Sequence, residues 1–137
     1  MAPSITGKLV VTLTVRDLRR SANWYGALLA AREHVYVDQG GRLAQVTLNE
    51  PTSGLQLCLV SHPAGSEEPF SEARPGLDHL EFLVARRGDL DSWVERLDRL
   101  GIQHSGVKEP SYTTNAMLTF RDPDNIQLEF FWASGTS

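Results

Sequence analysis

Residues 120–130 read Phe120-Arg121-Asp122-Pro123-Asp124-Asn125-Ile126-Gln127-Leu128-Glu129-Phe130, a turn running into a strand. Pro123 fixes its own φ and disfavours helix at Asp122, while Asp124 and Asn125 tolerate unusual backbone angles, so the chain reverses here. Beyond the turn, strand alternation puts Ile126, Leu128, Phe130 and Trp132 on one face and Gln127, Glu129 and Phe131 on the other. A carboxylate inside so apolar a strand is costly to bury without compensation. A metal ion, a hydrogen-bond donor or a bound ligand supplies it; the alternative is a Glu on a solvated sheet face.

A second strand, 79–84, lies within Gly76-Leu77-Asp78-His79-Leu80-Glu81-Phe82-Leu83-Val84. There His79, Glu81 and Leu83 face away from Leu80, Phe82 and Val84. The shift that lays Val10 on His79 also lays Val15 on Val84, Trp24 on Trp93 and Leu28 on Leu97. A slightly longer shift lays 55–59 over 126–130, so the chain holds two copies of one unit, the second with a small loop insertion.

Each copy reads as strand, helix, then three strands. Unit one covers about 8–61, with strands near 9–15, 33–37, 42–48 and 55–60. Its helix, 18–30, takes Asp17 as N-cap and presents Trp24, Tyr25, Leu28 and Leu29 as an apolar stripe. A linker follows over about 62–75, with three prolines and Phe70 as an anchor. Unit two covers about 76–133, with later strands near 102–107, 115–120 and 126–132. Asp89 is expected to cap its helix, Leu90, Trp93, Val94, Leu97 and Leu100 recur at helical spacing, and Gly101 ends it. The helices should cover one side of the sheets and leave the opposite, concave faces to form a cleft.

The strand carrying Gly-hydrophobic-x-His-hydrophobic and the closing strand carrying Glu129 resemble the markers of the vicinal oxygen chelate superfamily. That group contains glyoxalases, extradiol dioxygenases, fosfomycin-resistance enzymes and bleomycin-binding proteins. The resemblance covers nearly the whole chain. It implies an α+β fold, two tandem βαβββ units forming curved mixed sheets around a cleft, as one glyoxalase-like domain over 1–137. It also implies His79 and Glu129 as metal ligands and catalytic residues of unit two. Unit one departs from the family pattern. Val10 stands where the other histidine would be, and Cys58, with Gln56 two residues earlier on the same face, takes the other strand position.

Alternation aims Val10, Thr12, Thr14, Gln56, Cys58 and Val60 of unit one into the cleft, with His79, Glu81, Leu83, Gln127, Glu129 and Phe131 of unit two. The candidate ligand-binding residues are therefore Thr12, Thr14, Gln56, Cys58, Glu81, Gln127 and Phe131. The competing reading packs these faces on each other, with His79 and Glu129 as one buried hydrogen-bonded pair. One imidazole and one carboxylate are too few for a tight metal site. Cys58 can add a soft ligand or Gln56 a weak oxygen, but a buried lone cysteine also serves as a small hydrophobe. A divalent metal of unspecified identity and no cofactor at all both stay open.

Two function classes follow from the resemblance. One is an enzyme, a lyase or dioxygenase acting on a small oxygen-rich substrate, with a divalent metal as Lewis acid. A metal-free form uses Glu129 or Glu81 as general base while His79 polarises the substrate. The other is a binding protein that sequesters a small drug-like molecule. The missing first-unit histidine favours the binder, and the retained His79 and Glu129 favour the enzyme. Fold membership does not choose between them. Because half-open sheets leave edges that proteins cover, and the family commonly pairs units between chains, a homodimer is expected.

Other residues read as structural. His34, His62 and His104 have no mutual ligand spacing and read as surface histidines. Trp24 and Trp93 read as core, and Tyr112 and Trp132 either line an aromatic ligand or pack at the rim. No Gly-rich phosphate loop, nucleophile elbow or CxxC motif is present. The 137 residues carry a net charge of −4 with both signs interspersed, which points to neither nucleic acid nor an anionic membrane. The start has no apolar core of a signal peptide, and no run of about 18 apolar residues exists to span a membrane. Cys58 is the only cysteine, so no intrachain disulfide forms, as suits a reducing cytoplasm.

Overall fold

Two segments of the chain repeat one path, strand–helix–strand–strand–strand, in a computed structural model that describes residues 1–135. They are compact units, Met1–Ser66 and Glu67–Ser137. Unit one holds β1 (Val11–Thr14), α1 (Leu18–Leu29), β2 (Arg32–Val37), β3 (Leu43–Asn49) and β4 (Gln56–Val60). Unit two holds β5 (Leu80–Leu83), α2 (Asp89–Arg99), β6 (His104–Lys108), β7 (Ala116–Arg121) and β8 (Gln127–Trp132). The sheets run β1-β4-β3-β2 and β5-β8-β7-β6. In each, the first strand lies parallel to the last and the remaining pairs are antiparallel. The fold is the expected α+β arrangement of two βαβββ units with mixed sheets.

The registers extend the repeat to single residues. Thr12 pairs with Cys58 in unit one, and Glu81 pairs with Glu129 in unit two. Thr47 stands opposite Cys58, and Thr119 opposite Glu129. Parallel pairing of first and last strand requires a crossover, which the helix and two intervening strands provide.

Each helix covers one sheet face. In unit one Leu13, Tyr25, Leu28, Val46, Leu48, Leu57 and Leu59 are buried. In unit two Leu90, Leu97, Leu118, Phe120, Leu128 and Phe130 are buried. There the contact is a ring stack: Trp93 of α2 lies on Phe130 with centroids 3.9 Å apart, and Phe82 and Phe120 flank Phe130 at 5.6 and 5.4 Å. The even-numbered residues of β5 and β8 thus belong to the core, as alternation requires. Trp24 and Trp93 are half-buried rather than fully enclosed.

Several boundaries differ from the sequence reading. β1 begins at Val11, and Val10 is 59% exposed outside the ladder. Its parallel partner strand starts only at Gln56, just past a turn closed by the Glu50 N–H on Leu55 O. Asp89 is not the N-cap of α2. Gly88 holds that position without a side-chain cap, and the Asp89 carboxylate accepts from Arg86 N at 3.0 Å. Asp17 does cap α1, accepting from Arg20 N. Gly101 follows α2 with φ +70, the left-handed geometry that suits glycine past a helix end.

The turn of the opening stretch forms as read. Asp122 Oδ1 accepts from Asp124 N and Ile126 N, both at 2.8 Å, and Asn125 adopts φ +69. The segment that opens unit two, ahead of β5, is tied to this turn. Phe70 N donates to Asp124 O, Asn125 Nδ2 donates to Phe70 O, and Arg121 makes a two-point pair with Glu72. Among the described residues no helix is long and apolar enough to cross a membrane.

Candidate metal centre

The sheet face of unit two that turns away from α2 carries a charged group. Glu81 on β5 and Glu129 on β8 are register partners, so their side chains rise side by side. His79 precedes β5 by one residue and shares the face of Glu81. Its Nε2 lies 2.8 Å from Glu81 Oε1 and 3.9 Å from Glu129 Oε2. On the other side of the ring, Nδ1 lies 2.6 Å from Asp78 Oδ1. The competing reading, a direct hydrogen bond between His79 and Glu129, is not met, because the two side chains stand 3.9 Å apart. Glu81 takes that place.

Two like charges on neighbouring strands repel, and Glu129 is only 7% exposed. The imidazole offsets both. Hydrogen bonds to Glu81 and then Asp78 raise the His79 pKa to about 9, so in neutral solution both ring nitrogens donate to carboxylates. Burial pushes the Glu129 carboxyl upward, opposed by the His79 charge. Gln127 Nε2 donates to Glu129 Oε1 at 3.3 Å and helps hold it in place.

His79, Glu81 and Glu129 each offer one ligand atom, and these atoms all lie within 4.8 Å of one another. Among the described residues this is the group of three that can hold a metal. The donor set fits a divalent cation: one imidazole nitrogen and two carboxylate oxygens, with a net charge of −2 once the imidazole proton leaves. Asp78 fits it as well, because an imidazole ligand needs its second nitrogen held by an acceptor. Asp78 escaped the sequence reading, although a carboxylate directly before a candidate histidine ligand was the available signal.

The unit-one candidates do not reproduce this group. Thr12 and Thr14 are exposed on β1, Gln56 is exposed at the start of β4, and Cys58 is buried at 5% exposure. Thr47 Oγ1 and Cys58 Sγ are 3.6 Å apart, a contact that satisfies a small half-polar side chain. Phe131 is half-buried on the face of Glu129, and Trp132 is half-buried as well. Tyr112 is 86% exposed. His104 departs from the expected surface histidine. Its Nδ1 accepts from Gly106 N at 3.0 Å and its Nε2 meets Asp98 Oδ1 at 2.7 Å, which fixes the ring on β6.

A sequence profile described as the Glyoxalase/Bleomycin resistance protein/Dioxygenase superfamily matches residues 9–130. A solved glyoxylase/bleomycin resistance protein/dioxygenase domain from Frankia sp. EAN1pec is 37% identical, with a TM-score of 0.82 over 98% of this chain and 96% of that one. The fosfomycin resistance protein FosX from Listeria monocytogenes, complexed with Mn(II) and sulfate, is similar in fold. It is 21% identical with a TM-score of 0.66, over 96% of each chain. A FosX mutant bound to Mn(II) and 1S,2S-dihydroxypropylphosphonic acid aligns at 22% identity and a TM-score of 0.65, over 93% of this chain and 92% of that one.

Proposed function

Because the chain belongs to the Glyoxalase/Bleomycin resistance protein/Dioxygenase superfamily, we propose that it is an enzyme of this group acting on a small oxygen-rich substrate, with a divalent metal held by His79, Glu81 and Glu129. The convergence of these three ligand atoms on one sheet face carries the reading. Two carboxylates and one imidazole make a hard, oxygen-rich set that suits Mn(II) better than a thiolate-loving ion. The FosX relative's complex with Mn(II) agrees with that choice.

A bound divalent ion supplies Lewis acidity toward substrate oxygens. The chain's own residues do the positioning. Asp78 holds Nδ1–H of His79 and so aims Nε2 at the two glutamates. Gln127 holds Glu129, whose burial limits water around the group. Before an ion enters, the proton shared by His79 and Glu81 occupies the same charge role, so loading exchanges a proton for a metal.

Metal content of protein purified without chelator or affinity metal, followed by Mn(II) titration read by electron paramagnetic resonance, tests this. We expect one Mn(II) per chain, and binding lost in His79→Ala. A second reading, sequestration of a small molecule without metal, draws support from unit one, where Val10, Thr12 and Cys58 stand at the matching positions. Absence of Mn(II) uptake by correctly folded protein would put that reading first. A homodimer completes the proposal, since each four-stranded sheet leaves open edges, and the edge strand β2 is exposed along its whole length. Light scattering that gives a monomer mass at micromolar concentration would refute it.

A further inference from the structure

The face of unit two that holds the charged group also carries an apolar strip beside it. Register and alternation sort this face into rows that run across β5, β8 and β7. Glu81, Glu129 and Thr119 form the ligand row. Leu83, Phe131 and Met117 form the next row, by the same pairings. Neighbours within a row stand about 5 Å apart, and adjacent rows are separated by two residues of strand, roughly 7 Å.

This strip is not core. Trp93 of α2 stacks on Phe130, on the opposite face. Leu83 is 74% exposed, and Phe131 and Met117 are half-buried. Nor does the repeat demand apolar residues here, because the matching row of unit one is Thr14, Val60 and Gln45. On the other side of the ligand row the polar groups are engaged. Gln127 donates to Glu129, and Arg121 is held by both oxygens of Glu72 and by Asn125 O. Lys108, opposite Met117, ends the apolar row at the edge strand β6. A ligand whose oxygens reach the glutamates therefore finds apolar surface in one direction and committed polar groups in the other.

We propose that the substrate is amphiphilic, with an oxygen-chelating head at His79, Glu81 and Glu129 and an alkyl or aryl group lying along Leu83, Phe131 and Met117. This rests on the metal-holding reading above and narrows its substrate class. Acetohydroxamic and hexanohydroxamic acids share one chelating head and differ only in methylenes, so their affinities for the Mn(II)-loaded protein isolate the tail. By calorimetry the longer acid should bind about tenfold tighter or more, as expected for methylenes leaving water. Leu83→Asp, at an exposed position, should bring the ratio of the two affinities toward one, and Leu83→Met should preserve it. Equal affinity of the two acids for the Mn(II)-loaded protein overturns this inference and leaves the metal reading standing. Failure of the protein to take up Mn(II) overturns both.

Discussion

The two units share a topology and a register yet differ in chemistry at the matched positions. Cys58 and Glu129 are equally buried, at 5% and 7% exposure, and each stands opposite a threonine on the adjacent strand. One site accepts a thiol with only the Thr47 hydroxyl beside it. The other accepts a carboxylate only because His79 is beside it, and His79 in turn has Asp78 behind it where unit one has Leu9 behind Val10. The scaffold thus supplies position, while the ionic group is a coupled set in which no member is comfortable alone.

The cores differ in parallel with the sites, and this carries the largest expected effect. Phe130 is enclosed by three rings, whereas its unit-one counterpart is the aliphatic Leu59, which is fully buried. Phe130→Ala should cost about 3–5 kcal/mol, and Leu59→Ala about 2–5 kcal/mol. The stack of Trp93 on Phe130 adds coupling between those two rings, which a leucine at position 59 cannot make. In urea unfolding, a Phe130→Ala, Trp93→Ala double mutant should therefore lose less than the two single losses combined. Additive losses would show the stack to be ordinary area burial.

Copying the ligand set into unit one sharpens the comparison further. The triple substitution Val10→His, Thr12→Glu and Cys58→Glu places the unit-two donors at register-matched positions. Mn(II) stoichiometry should rise from one to two per chain. The new site should be about tenfold weaker, because no carboxylate stands behind residue 10 to orient the imidazole. Stoichiometry that stays at one in a folded variant would mean that register alone does not make the site.

Much of this difference was legible in the sequence, and the limits have physical causes. Strand alternation placed His79, Glu81, Leu83, Gln127, Glu129 and Phe131 on a common face, and the matched tryptophans exposed the repeat. Which carboxylate meets the imidazole was hidden. Glu81 stands two residues from His79 along the chain, but the distance left to Glu129 depends on the parallel register of β5 against β8, and no residue type marks a parallel register. The sequence also gives no sign that Met117 joins Phe131 and Leu83, because the row crosses three strands. His104 looked like a surface residue because its partners, Asp98 and Gly106, come together only when α2 turns into β6. At Asp89 the local pattern suited a cap, but the preceding turn claimed the carboxylate for Arg86 N.

The protonation of the group yields a pH test that unit one should not share. With its pKa raised from 6.5 to about 9, His79 contributes stability that is fully present below about 6.5 and is lost as pH rises through about 9. Metal binding has the opposite dependence, since Nε2 must give up its proton first. Mn(II) affinity should therefore rise by up to about tenfold per pH unit between 7 and 9 and flatten above. Titration calorimetry in buffers of different ionisation enthalpy should count close to one proton released per ion at pH 7. A flat affinity profile would show that the imidazole is not the group displaced.

The smallest effects should come from two turns that the repeat brings into correspondence. Glu50 follows β3 as Asp122 follows β7, and each carboxylate accepts backbone N–H groups of its own turn. Glu50 takes Thr52 N at 2.9 Å, Ser53 N at 2.7 Å and the Ser53 hydroxyl at 2.5 Å. Asp122 takes Asp124 N and Ile126 N while buried, so Asp122→Ala should cost about 1–3 kcal/mol. Glu50 lies in a solvated turn, and Glu50→Gln should cost less. Its contribution has a distinctive pH signature. The Ser53 hydroxyl and the turn's N–H groups hold its pKa at about 2. The stabilisation is therefore present above the ordinary value near 4.5 and is lost as pH falls through about 2. Wild type and Glu50→Gln should differ in urea midpoint at pH 7 and converge as the solution approaches pH 2. A gap that persists unchanged into acid would trace the effect to the shape of the side chain and not to its charge.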